Sequence, residues 1–171
     1  HKGLGSVAER NFRPHVSCVI PTPDDKYLCA VDNGVDQVKI YKINEQTGRI
    51  NLFDILRCKL DSGPRLLTFS RNGKFAYINC ELTNEIVVYA YDGDGKAPEF
   101  EKLQSISVLR DEKTKGSACC GMKLSPSGRY LYASTAGENT AAVFEVNQET
   151  GLLKRLCCLP ISGDYPKDID V

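Results

Sequence analysis

Three stretches of this chain repeat one another in phase, and that repeat limits the fold more than any other feature. In the last copy, residues 122–152, an apolar run leads into a turn at Pro126-Ser127-Gly128. A second run, Tyr130-Leu131-Tyr132-Ala133, is followed by the polar turn Gly137-Glu138-Asn139 and a third run over 141–146. Earlier copies occupy 21–50 and 68–96. With Asp25, Gly73 and Gly128 aligned at the first turn, the next aromatics are Tyr27, Phe75 and Tyr130. The aromatics one strand later, Tyr41, Tyr89 and Phe144, then fall at one constant offset. Short strands broken by Gly, Asn, Asp and Pro read as an antiparallel meander. A repeat of roughly 50 residues with about four strands per copy is the pattern of β-propeller blades.

The expected fold is therefore all-β: a single propeller fragment over residues 1–171, with about three complete four-stranded blades and partial blades at both ends. Blades are expected at 16–62, 64–117 and 121–163, with the start of another at 165–171. Within the first blade, strands are expected at 16–20, 27–31, 37–43 and 50–58. Residues 1–13 read as the tail of an earlier blade, and 110–117 as a charged loop over one mouth. A propeller buries each blade against its neighbours and closes as a ring. Incomplete closure would leave strand edges and apolar blade faces uncovered, and such surfaces drive association. The isolated fragment is thus expected to be an oligomer or part of a longer chain.

The formal net charge is zero. No basic field points to nucleic acid, and no polybasic segment or long apolar run points to a membrane. Eight cysteines lack the spacing of a disulfide framework or of a C-x-x-C site, and there are only two histidines. They read as buried free thiols in a reducing cytoplasm, with no metal and no cofactor. Asp32 and Asp36 flank Gly34; such carboxylates either bind a cation or, more often, hold the turn by accepting backbone N–H groups. Asp92-Gly93-Asp94-Gly95-Lys96 has neither the following helix of a phosphate loop nor the distal Glu of a calcium loop. The six repeating aromatics are expected in the core.

The repeats resemble the lactonase family of seven-bladed propellers, which includes propeller-type 6-phosphogluconolactonases and the 3-carboxy-cis,cis-muconate lactonising enzyme. His1-Lys2-Gly3, Arg10-Asn11 and Pro14-His15-Val16-Ser17 follow the family's H-x-G, R-Q and P-H-x-H-S in order. Asp32, Gly34, Asp36 and Val38 match its D-x-G-x-D-x-V, and Gly63-Pro64-Arg65 its G-P-R. Cys80-Glu81-Leu82 stands at its N-E-L. Ser17 replaces the second His of P-H-x-H, Gly121 a Glu, Ala136 an Arg, and Lys167 the Arg of a later P-R.

The resemblance implies hydrolysis of a small-molecule lactone or sugar phosphate such as 6-phosphogluconolactone, in the cytoplasm. It gives the catalytic candidates Glu81, Arg65 and His15, and the substrate-binding candidates Arg10 and Lys167. Lactone hydrolysis needs a base for water and a donor for the oxyanion, which a carboxylate and a guanidinium can supply. Otherwise Glu81 and Arg65 are a structural ion pair. His15 lies two residues from the position of the missing His, and residues i and i+2 of a strand share a face. Two other readings stay open: a non-catalytic propeller scaffold or binding paralogue, favoured by Ser17, Gly121 and Ala136, and a muconate-type lactonising enzyme, which would need more cations around its tricarboxylate substrate.

Overall fold

The computed structural model describes residues 13–111 and 116–171. Among these residues twelve strands form three four-stranded antiparallel sheets. The first blade holds β1 (Val16–Pro21), β2 (Tyr27–Asp32), β3 (Gln37–Ile43) and β4 (Ile50–Arg57) in spatial order. The second holds β5 (Pro64–Phe69), β6 (Phe75–Cys80), β7 (Glu85–Asp92) and β8 (Glu99–Ser107). The third holds β9 (Ala118–Leu124), β10 (Tyr130–Ala136), β11 (Thr140–Val146) and β12 (Leu153–Pro160). One 3-10 turn, Asn33–Val35, links β2 to β3. Residues 161–171 belong to no strand, although 165–171 was expected to begin one. Strand geometry is recognised by its ladder, and 161–171 has no ladder partner among the described residues.

Side chains alternate across a strand, so a blade buried on both sides carries apolar residues at every position. The middle blade shows this with one exception: all six residues of β6 are buried, and only Asn79 is polar. Phe75 and Tyr77 pack with Met122, Leu131 and Phe144 of the third blade. Ala76, Ile78 and Cys80 pack with Tyr27, Cys29 and Val31 of the first. Of the repeating aromatics, Tyr27, Phe75, Tyr89 and Phe144 are buried. Tyr41 and Tyr130 are only half-buried. By the repeat, Tyr41 faces backwards from the first blade and Tyr130 forwards from the third, where no neighbouring sheet is described.

One Asx residue after each second strand ties the end of its own blade to the segment that follows. Asp36, Asn84 and Asn139 all have positive φ. Their carbonyls accept the N–H of Cys58, Val108 and Ile161, just past each fourth strand. Their side chains reach the following entry: Asp36 takes the N–H of Asp61 and Gly63, Asn84 donates to the Ser117 carbonyl, and Asn139 accepts from the Tyr165 N–H. Asp and Asn tolerate the left-handed region and offer a short polar arm, so they suit this position.

Candidate functional site

Each first strand contains one extra residue near its start. The ladder slips between Val16 and Cys18, between Pro64 and Leu66, and opposite Ser134, which faces Cys120-Gly121. A β-bulge leaves its extra residue unpaired and re-aims the side chain. The residues so placed are Ser17, Arg65 and Cys120-Gly121. In the second and third blades a side chain of the second strand takes up an amide at the bulge. Asn79, fully buried, accepts the Leu66 N–H through Oδ1, and Ser134 Oγ accepts the Gly121 N–H.

Arg65 and Glu81 meet. Arg65 Nη1 lies 2.9 Å from Glu81 Oε2, with 29% and 21% of the two side chains exposed. The pair is neither sealed nor freely solvated. Glu81 follows β6 directly, and its own N–H donates to the Gly63 carbonyl at 2.7 Å. Gly63 is in turn held by Asp36 Oδ1, at 2.8 Å from its N–H. The Asp36 clamp therefore fixes the ground on which Glu81 stands. Asn33 also reaches the pair: its Nδ2 donates to Glu81 Oε2 at 3.3 Å and to the Gly63 carbonyl at 3.1 Å. Ser17 donates its hydroxyl to the Arg65 carbonyl at 2.6 Å, which ties the first blade to the bulge that carries the guanidinium.

The third blade contributes less polarity. Ala118, Cys120 and Ala136 form a small buried apolar cluster. Burial pushes the Cys120 thiol up, against the pull of the Arg65 and Lys167 charges and with the push of Glu81. Lys167 is exposed and belongs to this charge group. Gly121 is tightly covered: a Cβ there would lie 2.7 Å from Ser134 Oγ and 2.9 Å from the Ile169 nitrogen.

The other candidates fall elsewhere. His15 is exposed just ahead of β1. Its backbone is used, the N–H by Asp32 Oδ1 at 2.7 Å and the carbonyl by the Asn33 N–H at 2.9 Å. Its imidazole makes no hydrogen bond or ion pair to Arg65 or Glu81 among the described residues. The bulge at Ser17 explains why a shared face with His15 cannot be read from i, i+2 spacing alone. Arg10, and the motif residues His1-Lys2-Gly3, lie outside the described residues. Asp32 and Asp36 act as turn-holders, accepting the N–H groups of Gly34, His15, Asp61 and Gly63. In the Gly-Asp loop, Asp92 Oδ1 simply accepts the Asp94 N–H. Among the described residues no three His, Cys, Asp or Glu side chains could hold one metal ion. No helix there is long and apolar enough to cross a membrane. A cleft of about 170 Å³ between the first two blades, lined by Arg57, Cys58, Cys80, Tyr89 and Lys102, does not include the Arg65–Glu81 pair.

Comparison with known proteins gives the family of this fold. The family model described as lactonase, 7-bladed β-propeller, matches residues 1–171. The chain belongs to the lactonase family. It is 32% identical to a 6-phosphogluconolactonase of Bacillus subtilis, over 98% of this chain and 47% of that protein. A structure from Lactobacillus plantarum superposes with a TM-score of 0.89 at 31% identity, over 99% of this chain and 48% of that one. A periplasmic gluconolactonase of Pseudomonas aeruginosa gives 0.81 at 31% identity, over 90% and 43%. This lactonase-family chain spans about half the length of the curated relatives it matches.

Asn33 and Cys120 were missed in the sequence. Both were legible as columns of the repeat. The offset that relates Tyr41, Tyr89 and Phe144 also relates Asn33, Glu81 and Ala136, and relates Ser17, Arg65 and Cys120.

Proposed function

We propose that the protein hydrolyses a sugar lactone, with 6-phosphogluconolactone as the first substrate to test. The observation that carries this reading is the Arg65–Glu81 pair on adjacent strand ends, 2.9 Å apart and partly open to solvent. Glu81 removes a proton from water as the oxygen attacks the lactone carbonyl. The tetrahedral oxyanion is stabilised by Arg65. Only one Arg65 nitrogen is engaged with Glu81, and no other protein partner of the guanidinium is found among the described residues. Its remaining N–H groups are directed to the oxyanion or to an anionic group of the substrate. As the intermediate collapses, the ring C–O bond breaks and the alkoxide takes the proton back from Glu81. Lys167 adds a second positive charge on the side of the third blade. No cofactor enters this scheme. A cytoplasmic location belongs to the same reading and is supported by the eight free thiols. Cell fractionation tests it, since the Pseudomonas relative is named periplasmic.

The test is acid release from 6-phosphogluconolactone and from unphosphorylated gluconolactone by the full-length protein, compared with spontaneous ring opening. Turnover above the spontaneous rate with either lactone supports the reading, and a preference for the phosphate assigns the anionic group. Turnover no faster than the buffer removes it. A non-catalytic scaffold would then be favoured by the small, covered residues of the third blade, Gly121 and Ala136.

A further inference from the structure

We infer that Asn33 is a positioning residue for the Glu81 base, and that Glu81 Oε1 is the oxygen that takes the proton. This rests on the reading of Glu81 as base. Two donors converge on Oε2 from different blades: Arg65 Nη1 at 2.9 Å from the second, and Asn33 Nδ2 at 3.3 Å from the first. Among the described residues no group donates to Oε1. A carboxylate held by two donors on one oxygen cannot rotate freely, and it presents its other oxygen in a fixed direction.

The placement of Asn33 is over-determined. Its N–H donates to the His15 carbonyl, and Asp32 Oδ1 takes the N–H groups of both Gly34 and His15. Gly34 lies so close beneath the Arg13 carbonyl that no side chain fits there. The side-chain orientation is fixed by chemistry as well. The amide nitrogen faces two acceptors, the Gly63 carbonyl and the carboxylate, and a flipped amide would set oxygen against oxygen at both. Asn33 is buried while Glu81 is partly open, so the bond between them is sheltered on its Asn33 side.

The experiment is a double-mutant cycle in the full-length protein with Asn33→Ala and Glu81→Gln. Asn33→Ala is expected to lower kcat about ten- to a hundred-fold, the effect of one hydrogen bond to a charged group, with KM changed less than about twofold. Added to Glu81→Gln it should cost nothing further, because its partner's function is already gone. An equal loss in both backgrounds, or a rise in KM alone, would mean a merely structural role and overturn the inference. If Glu81→Gln itself leaves turnover unchanged, the assignment of the base falls and this inference with it. If Glu81→Gln abolishes turnover while Asn33→Ala retains full kcat, only this inference falls. Should Asn33→Ala not fold, the side-chain amide resonances of Asn33 give a second reading. They should move on Glu81→Ala, and unmoved resonances would exclude the bond.

Discussion

Arg65 Nη1 and Glu81 Oε2 are 2.9 Å apart, yet the two residues reach each other from different structural situations. Arg65 is the unpaired residue of a bulge in β5, and Glu81 is the first residue past β6. Both side chains are largely covered, and each is aimed by the backbone beneath it. Glu81→Gln keeps the volume and removes the base. We expect turnover of the lactone to fall on the order of 10²–10⁴. Stability should change by about 1 kcal/mol or less, because the pair is partly solvated. Steady-state kinetics and a denaturant titration on the same sample check both parts, and a fully active Glu81→Gln protein would acquit Glu81.

Asp36 holds Gly63 and Asp61 by their N–H groups, and Gly63 holds both Glu81 and Asn33 by its carbonyl. Asp36→Ala leaves two amides without their acceptor and puts a side chain without a polar arm at φ 52°. The expected loss is about 3 kcal/mol of stability. Asp36→Asn tolerates the same backbone and should lose less. Urea midpoints of the two variants give the comparison, and equal midpoints for Ala and wild type would deny the clamp.

Gly121 stands where the family pattern has Glu, so restoring Glu is an obvious way to add activity. The structure argues against success. The first side-chain carbon would meet Ser134 Oγ at 2.7 Å and backbone of 168–169 at 2.9–3.0 Å. Gly121→Glu should lower the thermal midpoint and leave turnover no higher than wild type. A variant with both gained activity and unchanged melting would show that the segment at 168–169 gives way freely.

Burial pushes the thiols of Cys29, Cys80 and Cys119 up to about 12, from an ordinary value of 9.0. The folded protein therefore keeps protons that the unfolded chain releases from about pH 9 upward. The unfolded state then binds fewer protons, so stability falls as pH rises. This contribution is fully present below pH 9 and is lost progressively between pH 9 and about 12. Guanidinium midpoints measured at pH 8 and pH 10.5 should differ, with the lower one at pH 10.5. The exposed Cys157 should react first with a thiol reagent at neutral pH, well ahead of the buried Cys29 and Cys119.

The blades were legible in the sequence because a period is a local property. Turn residues at fixed spacing and a strand alternation of two recur in each copy, so the strand order and the two-sided burial of β6 follow from residues such as Phe75, Ala76, Tyr77 and Ile78. The turn-holding carboxylates of Asp32 and Asp36 and the buried thiols of Cys29, Cys80, Cys119 and Cys120 were legible for the same reason, whereas Cys18, Cys58 and Cys158 are only half-buried and Cys157 is exposed, against the expectation of burial. What no pattern in one dimension could supply is the aim of a side chain at a bulge. One extra residue in β1, β5 and β9 breaks the alternation on which a face assignment rests, and so the i, i+2 spacing of His15 and Ser17 does not by itself assign them to one face. Only the packing of one sheet on the next brought Asn33 of the first blade to Glu81 of the second. The sequence by itself determined the repeat and its core. The tertiary structure decided which polar residues meet, because those meetings cross from blade to blade, and a repeat specifies each blade without specifying the distance between side chains on different ones.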